Sequence, residues 1–173
     1  MTKPYRQEIT INEAATPAAA VEGKLPDGMK AINGKELLKE VLAVLRAQSW
    51  LFQSLHWRAK GKDFYETHLL FMRLYEGVGE EIDALAEKLV GYYGDEAVEE
   101  EDSIKRTQTW LNTWSGDPID KALQAEKQFQ ALLRKTYKSM EKKNELSLGL
   151  DDYLMATASA HEVHLYLLGQ MKG

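Results

Sequence analysis

Two histidines and two carboxylates have the types and spacing in this sequence that could support chemistry. His56 and His68 are twelve residues apart, across a break marked by Gly61. Asp83 and Glu87 follow, four residues apart. Residues at that spacing share one helix face, so both carboxylates could offer oxygen atoms to one ion or proton. Neutral imidazole adds nitrogen, and the combined donor set suits iron, zinc or manganese.

Length and composition limit the class of protein. The chain has 173 residues, 44% hydrophobic and 28% charged, which fits one globular domain. It has no cysteine, so disulfides and thiolate sites are excluded and any metal must bind His, Asp or Glu. The net charge of −5 argues against a generally nucleic-acid-coating surface. The sequence shows no signal-peptide core and no membrane span, so we expect a soluble, cytoplasmic protein.

The elements that must position these residues are predicted to be helices. Apolar residues recur at steps of three and four along four long segments. Three of the segments are opened or closed by a capping signal, such as Asn33 with Glu36, or Asp117 with Pro118. We therefore expect an all-α, up-and-down four-helix bundle with a short extra helix between helices 2 and 3. The long helices are predicted at about 34–60, 64–93, 118–144 and 150–171, and the short one at about 103–114.

The first part of the chain has a different pattern. Residues 1–33 contain three of the four prolines and show no sustained period, so we predict a flexible N-terminal tail, with the bundle at 34–173. Acidic and basic residues balance in this tail, which makes it an unconvincing DNA-binding arm.

Helix geometry restricts how the four candidate ligands can meet. A hairpin between the first two helices brings His56 close to His68. Asp83 lies fifteen residues beyond His68, or about 22 Å along the same helix axis. One ion cannot touch both within a subunit. Either the two pairs are unrelated, or a second subunit, related by a two-fold axis, places its Asp83 and Glu87 against the first subunit's histidines.

With these residues at these spacings, the sequence resembles the Dps family, the DNA-binding proteins from starved cells, which are ferritin-like miniferritins. The resemblance covers about residues 33 to 172. The matching positions are Leu55-His56-Trp57, Gly61, Phe64, His68, Tyr75, Asp83, Glu87 and Ala160-His161-Glu162.

The resemblance implies a hollow homo-oligomer of twelve subunits that binds Fe(II), oxidises it with hydrogen peroxide or dioxygen, and stores the ferric mineral. In such a ferroxidase, His56 and His68 would come from one subunit and Asp83 and Glu87 from its two-fold neighbour. These four residues would be both the metal ligands and the catalytic residues.

One departure from the family pattern bears on activity. Met72 stands where the family commonly has Asp, and a thioether is a poor ligand for iron. The second iron position is therefore expected to be weak, with Glu76, one turn further on, as a possible substitute. The alternative function is a structural shell or DNA-compacting protein with weak or lost ferroxidase activity. Because the tail is neutral, we expect weak or absent DNA binding.

Two further histidines remain. His161 and His164 are three residues apart and could form an accessory metal site, although packing or surface roles are favoured. The bacterioferritin-type di-iron arrangement needs Glu-x-x-His on two helices of one bundle. The residues three before each histidine are Gln53, Tyr65, Ala158 and His161. The missing motif argues against a di-iron site inside one subunit.

Overall fold

A computed structural model describes residues 33 to 172, and the prediction of an all-α bundle is confirmed. Four long helices form the bundle, and a short helix lies between the second and third. The predicted tail lies almost wholly outside the described residues, so that part of the domain assignment stays a prediction. The helices are α1 (Gly34–Arg58), α2 (Phe64–Tyr93), α3 (Glu100–Leu111), α4 (Pro118–Lys142) and α5 (Leu148–Lys172), with a 3-10 turn at Asp95–Val98.

The predicted capping signals do mark the helix ends. Asn33 Oδ1 accepts a hydrogen bond from the backbone N–H of Glu36 at 2.9 Å, which opens α1. Asp117 Oδ1 accepts one from the N–H of Asp120 at 2.9 Å, with Pro118 as the first residue of α4. Local side-chain chemistry therefore sets where these bundle helices begin.

The turn between α1 and α2 brings the first two histidines together. Gly61 has a φ of +89°, a conformation that disfavours residues with a Cβ, and it lets the chain reverse within a few residues. Phe52 and Phe71 then stack with ring centroids 6.4 Å apart, both fully buried. Burial of each ring contributes about 1.5–3 kcal/mol, which fixes the end of α1 against the start of α2.

A charged cluster ties α3 to α1. Arg106 donates to Glu40 Oε1 at 2.5 Å and to Glu36 Oε2 at 2.6 Å, and Trp110 Nε1 donates to Glu40 Oε2 at 2.8 Å. Trp110 is 1% exposed. The extra helix is thus anchored on the outer side of α1 by both hydrogen bonds and apolar packing.

None of the helices between residues 33 and 172 is both long and apolar enough to span a membrane.

Candidate metal sites

The end of α1 and the start of α2 hold the first candidate site, a pair of imidazoles. His56 Nδ1 lies 2.8 Å from the backbone oxygen of His68, and His68 Nδ1 lies 3.0 Å from the backbone oxygen of His56. A carbonyl oxygen only accepts, so both Nδ1 atoms must carry the hydrogen. In the neutral ring, each Nε2 then has a free lone pair, which is the form that binds a metal.

Aromatic neighbours hold the two rings in place. The rings of His56 and His68 stack with centroids 3.7 Å apart, as the hairpin geometry predicts. Tyr75 meets the edge of His56 at 5.4 Å, and Phe64 stacks on His68 at 5.1 Å. Among the described residues, neither Nε2 atom has a hydrogen-bond partner. The pair is thus ordered, partly accessible and available for a ligand.

The predicted carboxylates lie elsewhere in the subunit. Asp83 and Glu87 are exposed on the same unbroken helix α2 as His68. The helical rise puts Asp83 about 22 Å beyond His68, so the subunit alone does not bring acids and imidazoles together. Their joint role as ligands stays a prediction.

The two residues that the sequence analysis connects with a second iron position, Met72 and Glu76, also lie on α2. Met72 is half-buried and Glu76 is exposed. Trp57, next to His56, is 69% exposed.

A second cluster lies inside the bundle, where three helices meet. His161 Nδ1 is 2.6 Å from Glu126 Oε2, and His164 Nδ1 is 3.0 Å from Glu126 Oε1. His161 Nε2 is 2.9 Å from Glu81 Oε2. Glu126 and His161 are fully buried and His164 is 8% exposed, so the surface role considered for the two histidines is wrong.

Burial and charge act against each other in this cluster. Burial alone lowers the pKa of His161, but the charges and hydrogen bonds of Glu126 and Glu81 outweigh it and raise that pKa to about 10. Burial likewise raises the pKa of Glu126, but His161 and His164 hold it below its ordinary value. Without another cation, the cluster is an imidazolium between two carboxylates.

Sequence reasoning missed this cluster because its members come from three helices rather than one motif. Glu126 and His161 each interrupt the apolar seam of an amphipathic helix. A buried carboxylate in the apolar seam of one helix and a histidine in the seam of another are the sequence signal that could have predicted the cluster. The search for Glu-x-x-His could not find it, because Glu81 and Glu126 lie on helices that carry neither histidine of the cluster.

Comparison with known proteins identifies the fold. No family model matches the sequence, and no curated protein matches it either. One solved structure of a Listeria innocua Dps mutant superposes with a TM-score of 0.70 at 16% identity, covering 81% of this chain and 95% of that chain. Another has a TM-score of 0.71 at 16% identity, covering 84% and 96%. The chain has a Dps-like fold. At this identity the match to Dps concerns the fold alone.

In both Listeria innocua Dps structures, one histidine is replaced by glycine, and the two mutated positions are twelve residues apart in that protein. His56 and His68 of the Dps-like chain described here have the same separation.

Proposed function

We propose that this protein oxidises Fe(II) and stores the ferric product, and so protects the cytoplasm from damage by Fe(II) and peroxide. The observation that carries the proposal is the pair His56 and His68. Each ring donates its Nδ1–H to a backbone carbonyl, and each Nε2 is left without a partner among the described residues. A metal-binding histidine typically donates its other ring N–H to a carbonyl or carboxylate oxygen in this way, which fixes its tautomer.

The site becomes complete only with a second subunit. Asp83 and Glu87 are exposed on α2. In a two-fold pair of subunits, the Asp83 and Glu87 of one subunit would face the His56 and His68 of the other. The symmetry makes two equivalent sites per pair of subunits. The distance of about 22 Å between Asp83 and His68 along α2 supports a homo-oligomer, because one subunit alone leaves the site incomplete. From the resemblance to Dps, we propose twelve subunits.

Two nitrogen and two carboxylate donors suit Fe(II) as the substrate. Each Fe(II) gives up one electron. Hydrogen peroxide takes two electrons and two protons, its O–O bond breaks, and two water molecules form. Asp83 and Glu87 would offset the rising charge of the iron. Because Met72 offers only a thioether where a further carboxylate would serve, we expect the second iron at each site to bind weakly.

The second candidate function is a structural shell or DNA-compacting protein with weak ferroxidase activity. Met72 favours it, since a site that binds one iron well would oxidise slowly. Gel retardation over a series of salt concentrations, beside the iron assay, separates the two. Retardation without iron oxidation would select this second function.

The direct test is anaerobic Fe(II) titration followed by addition of peroxide or oxygen. The double variant with His56→Ala and Asp83→Ala should bind fewer Fe(II) ions per subunit than the parent, because the shared site is lost, and should oxidise Fe(II) at least tenfold more slowly. Lys62→Ala, an exposed change in the same connection, should behave as the parent. Oxidation by the double variant at the parental rate would refute the site.

A further inference from the structure

We propose that each subunit also binds one divalent transition-metal ion inside its helix bundle, with Glu126, His161 and His164 as ligands. This site goes beyond the proposed iron chemistry, which uses none of these residues. Glu81 acts as a positioning residue, because its carboxylate accepts a hydrogen bond from Nε2 of His161 at 2.9 Å.

The three ligand groups converge in a closed space. One donor atom from each of Glu126, His161 and His164 lies within 4.8 Å of the other two, and all three residues are buried. Phe129 packs its ring at 4.5 Å from that of His161 with an edge contact, and is itself fully buried. An apolar wall around two imidazoles and a carboxylate is the environment in which a metal ion is held away from water.

Charge gives an independent reason. Glu126 is fully buried, and the side chain of Glu81 is 17% exposed. A histidine that binds a metal is neutral, so the ion would replace the proton on Nδ1 of His161, and its charge of +2 would balance the −2 of the two carboxylates. A buried charged cluster gives little or no stability over apolar residues of the same size. Stability therefore gives no reason for four ionisable residues from three helices to occupy the centre of the bundle.

The distances suit a site that opens slightly to admit an ion. Nδ1 of His161 and Nδ1 of His164 lie 2.6 and 3.0 Å from the two oxygens of Glu126. Ligand atoms around a tetrahedral ion, with bonds of about 2.0–2.1 Å, are about 3.4 Å apart. Widening these two contacts by less than 1 Å each makes that room. The side chain of His164, 11% exposed, gives an access route.

The hydrogen bond between His161 and Glu81 would support a metal ion bound to the other nitrogen of the ring. A metal on Nδ1 of His161 leaves Nε2–H to donate to a carboxylate, which fixes the ring and makes it a better ligand. Glu81 is two residues from Asp83, which puts the two side chains on opposite sides of α2. Consistent with this, Asp83 is exposed. The buried site and the shared iron site are therefore separate.

Two nitrogens and one carboxylate suit Zn(II), Co(II), Fe(II) and Mn(II) rather than Mg(II) or Ca(II). Co(II) is the probe of choice, since its visible spectrum reports coordination. The test uses the full-length, metal-free assembly with equilibrium dialysis and absorption. Two matched double variants are compared: His56→Ala with Asp83→Ala, which removes the shared site, and His161→Gln with His164→Gln, which removes the buried one.

The shared-site variant should still bind about one Co(II) per subunit with visible bands. The buried-site variant should lose that ion and those bands, while its circular dichroism and assembly mass match the parent. Equal Co(II) binding and spectra in the buried-site variant and the parent, or no Co(II) bound by the shared-site variant, would overturn the proposal. Iron oxidation tests the shared site separately, so the two proposals can fail independently.

A measurement on the unchanged protein covers the case in which the buried-site variant does not fold. Crystals of the parent soaked in Co(II) should show an anomalous scattering peak between Glu126, His161 and His164. A well-ordered bundle without that peak would overturn the proposal.

Discussion

The ring of His56 donates a hydrogen bond to the backbone oxygen of His68, and the ring of His68 donates one to the backbone oxygen of His56. Each imidazole therefore helps to fix the peptide unit that orients the other. The two side chains act as one unit, held by the reversal of the chain at Gly61.

This coupling predicts non-additive effects of mutation. His56→Ala and His68→Ala should each slow Fe(II) oxidation by about 10–100-fold, the range typical when a metal ligand or the group that holds it in place is lost. The double variant should be no slower than the worse single variant, because either change releases both rings. Stopped-flow absorbance of Fe(III) formation measures this. Losses that multiply in the double variant would show that the two rings act separately.

Exposed apolar residues on α1 and α3 predict where the subunits of the proposed assembly would meet. Trp50 is 62% exposed and Ile104 is 59% exposed. Both side chains line a cavity of about 520 Å³, together with Arg46. Exposed apolar patches of this kind mark interaction sites. Trp50→Glu should convert the assembly to smaller species at micromolar concentration, as measured by light scattering. Lys127→Glu, an exposed change on α4, is the control. An unchanged mass for Trp50→Glu would remove this face from the interface.

The anchor of α3 predicts a stability effect. Arg106→Ala leaves Glu40, whose side chain is 14% exposed, without its 2.5 Å partner. Glu40 then keeps only the hydrogen bond from Trp110, and a mostly buried carboxylate that loses its cation costs about 1–3 kcal/mol in the free energy of unfolding. Urea unfolding at one fixed protein concentration measures the loss. Lys172→Ala removes an exposed ion pair with Asp120 and should change stability much less. Equal losses in the free energy of unfolding for Arg106→Ala and Lys172→Ala would contradict the role of Arg106 as the anchor of α3.

The same anchor predicts acid sensitivity. Burial raises the pKa of Asp102, but hydrogen bonds from Lys39 and Arg106 outweigh it and hold that pKa below its ordinary value. A lowered folded-state pKa stabilises the protein above the unfolded value of about 3.9, and this stability is lost as the pH falls through the folded pKa. Between about pH 5 and pH 2, the free energy of unfolding should fall less in Asp102→Asn than in the parent.

The control for this pH experiment is Asp152→Asn, which alters an exposed carboxyl on α5. Urea unfolding at each pH, at constant ionic strength, gives the slope of the free energy of unfolding against pH for each protein. A parental slope in Asp102→Asn would mean that another carboxyl causes the acid sensitivity.

The parts of the structure that the sequence predicts well are those determined locally. Asn33 and Pro118 mark helix starts because capping depends on a few neighbouring residues. The approach of His56 to His68 also follows from one short turn. The cluster of Glu126 with His161 depends on how α4 packs against α5, which no local pattern specifies. Asp83 needs a partner subunit, so one chain cannot test its role.

The most direct test of the shared iron site mixes two inactive proteins. One subunit type carries His56→Ala and His68→Ala, and the other carries Asp83→Ala and Glu87→Ala. When they are dissociated together and reassembled, half of the two-fold pairs are mixed, and each mixed pair has one intact site and one without ligands. About a quarter of the parental Fe(II) oxidation rate should return. Mixtures that stay as inactive as their components, although mass measurements show mixed assemblies, would contradict a site built from two subunits.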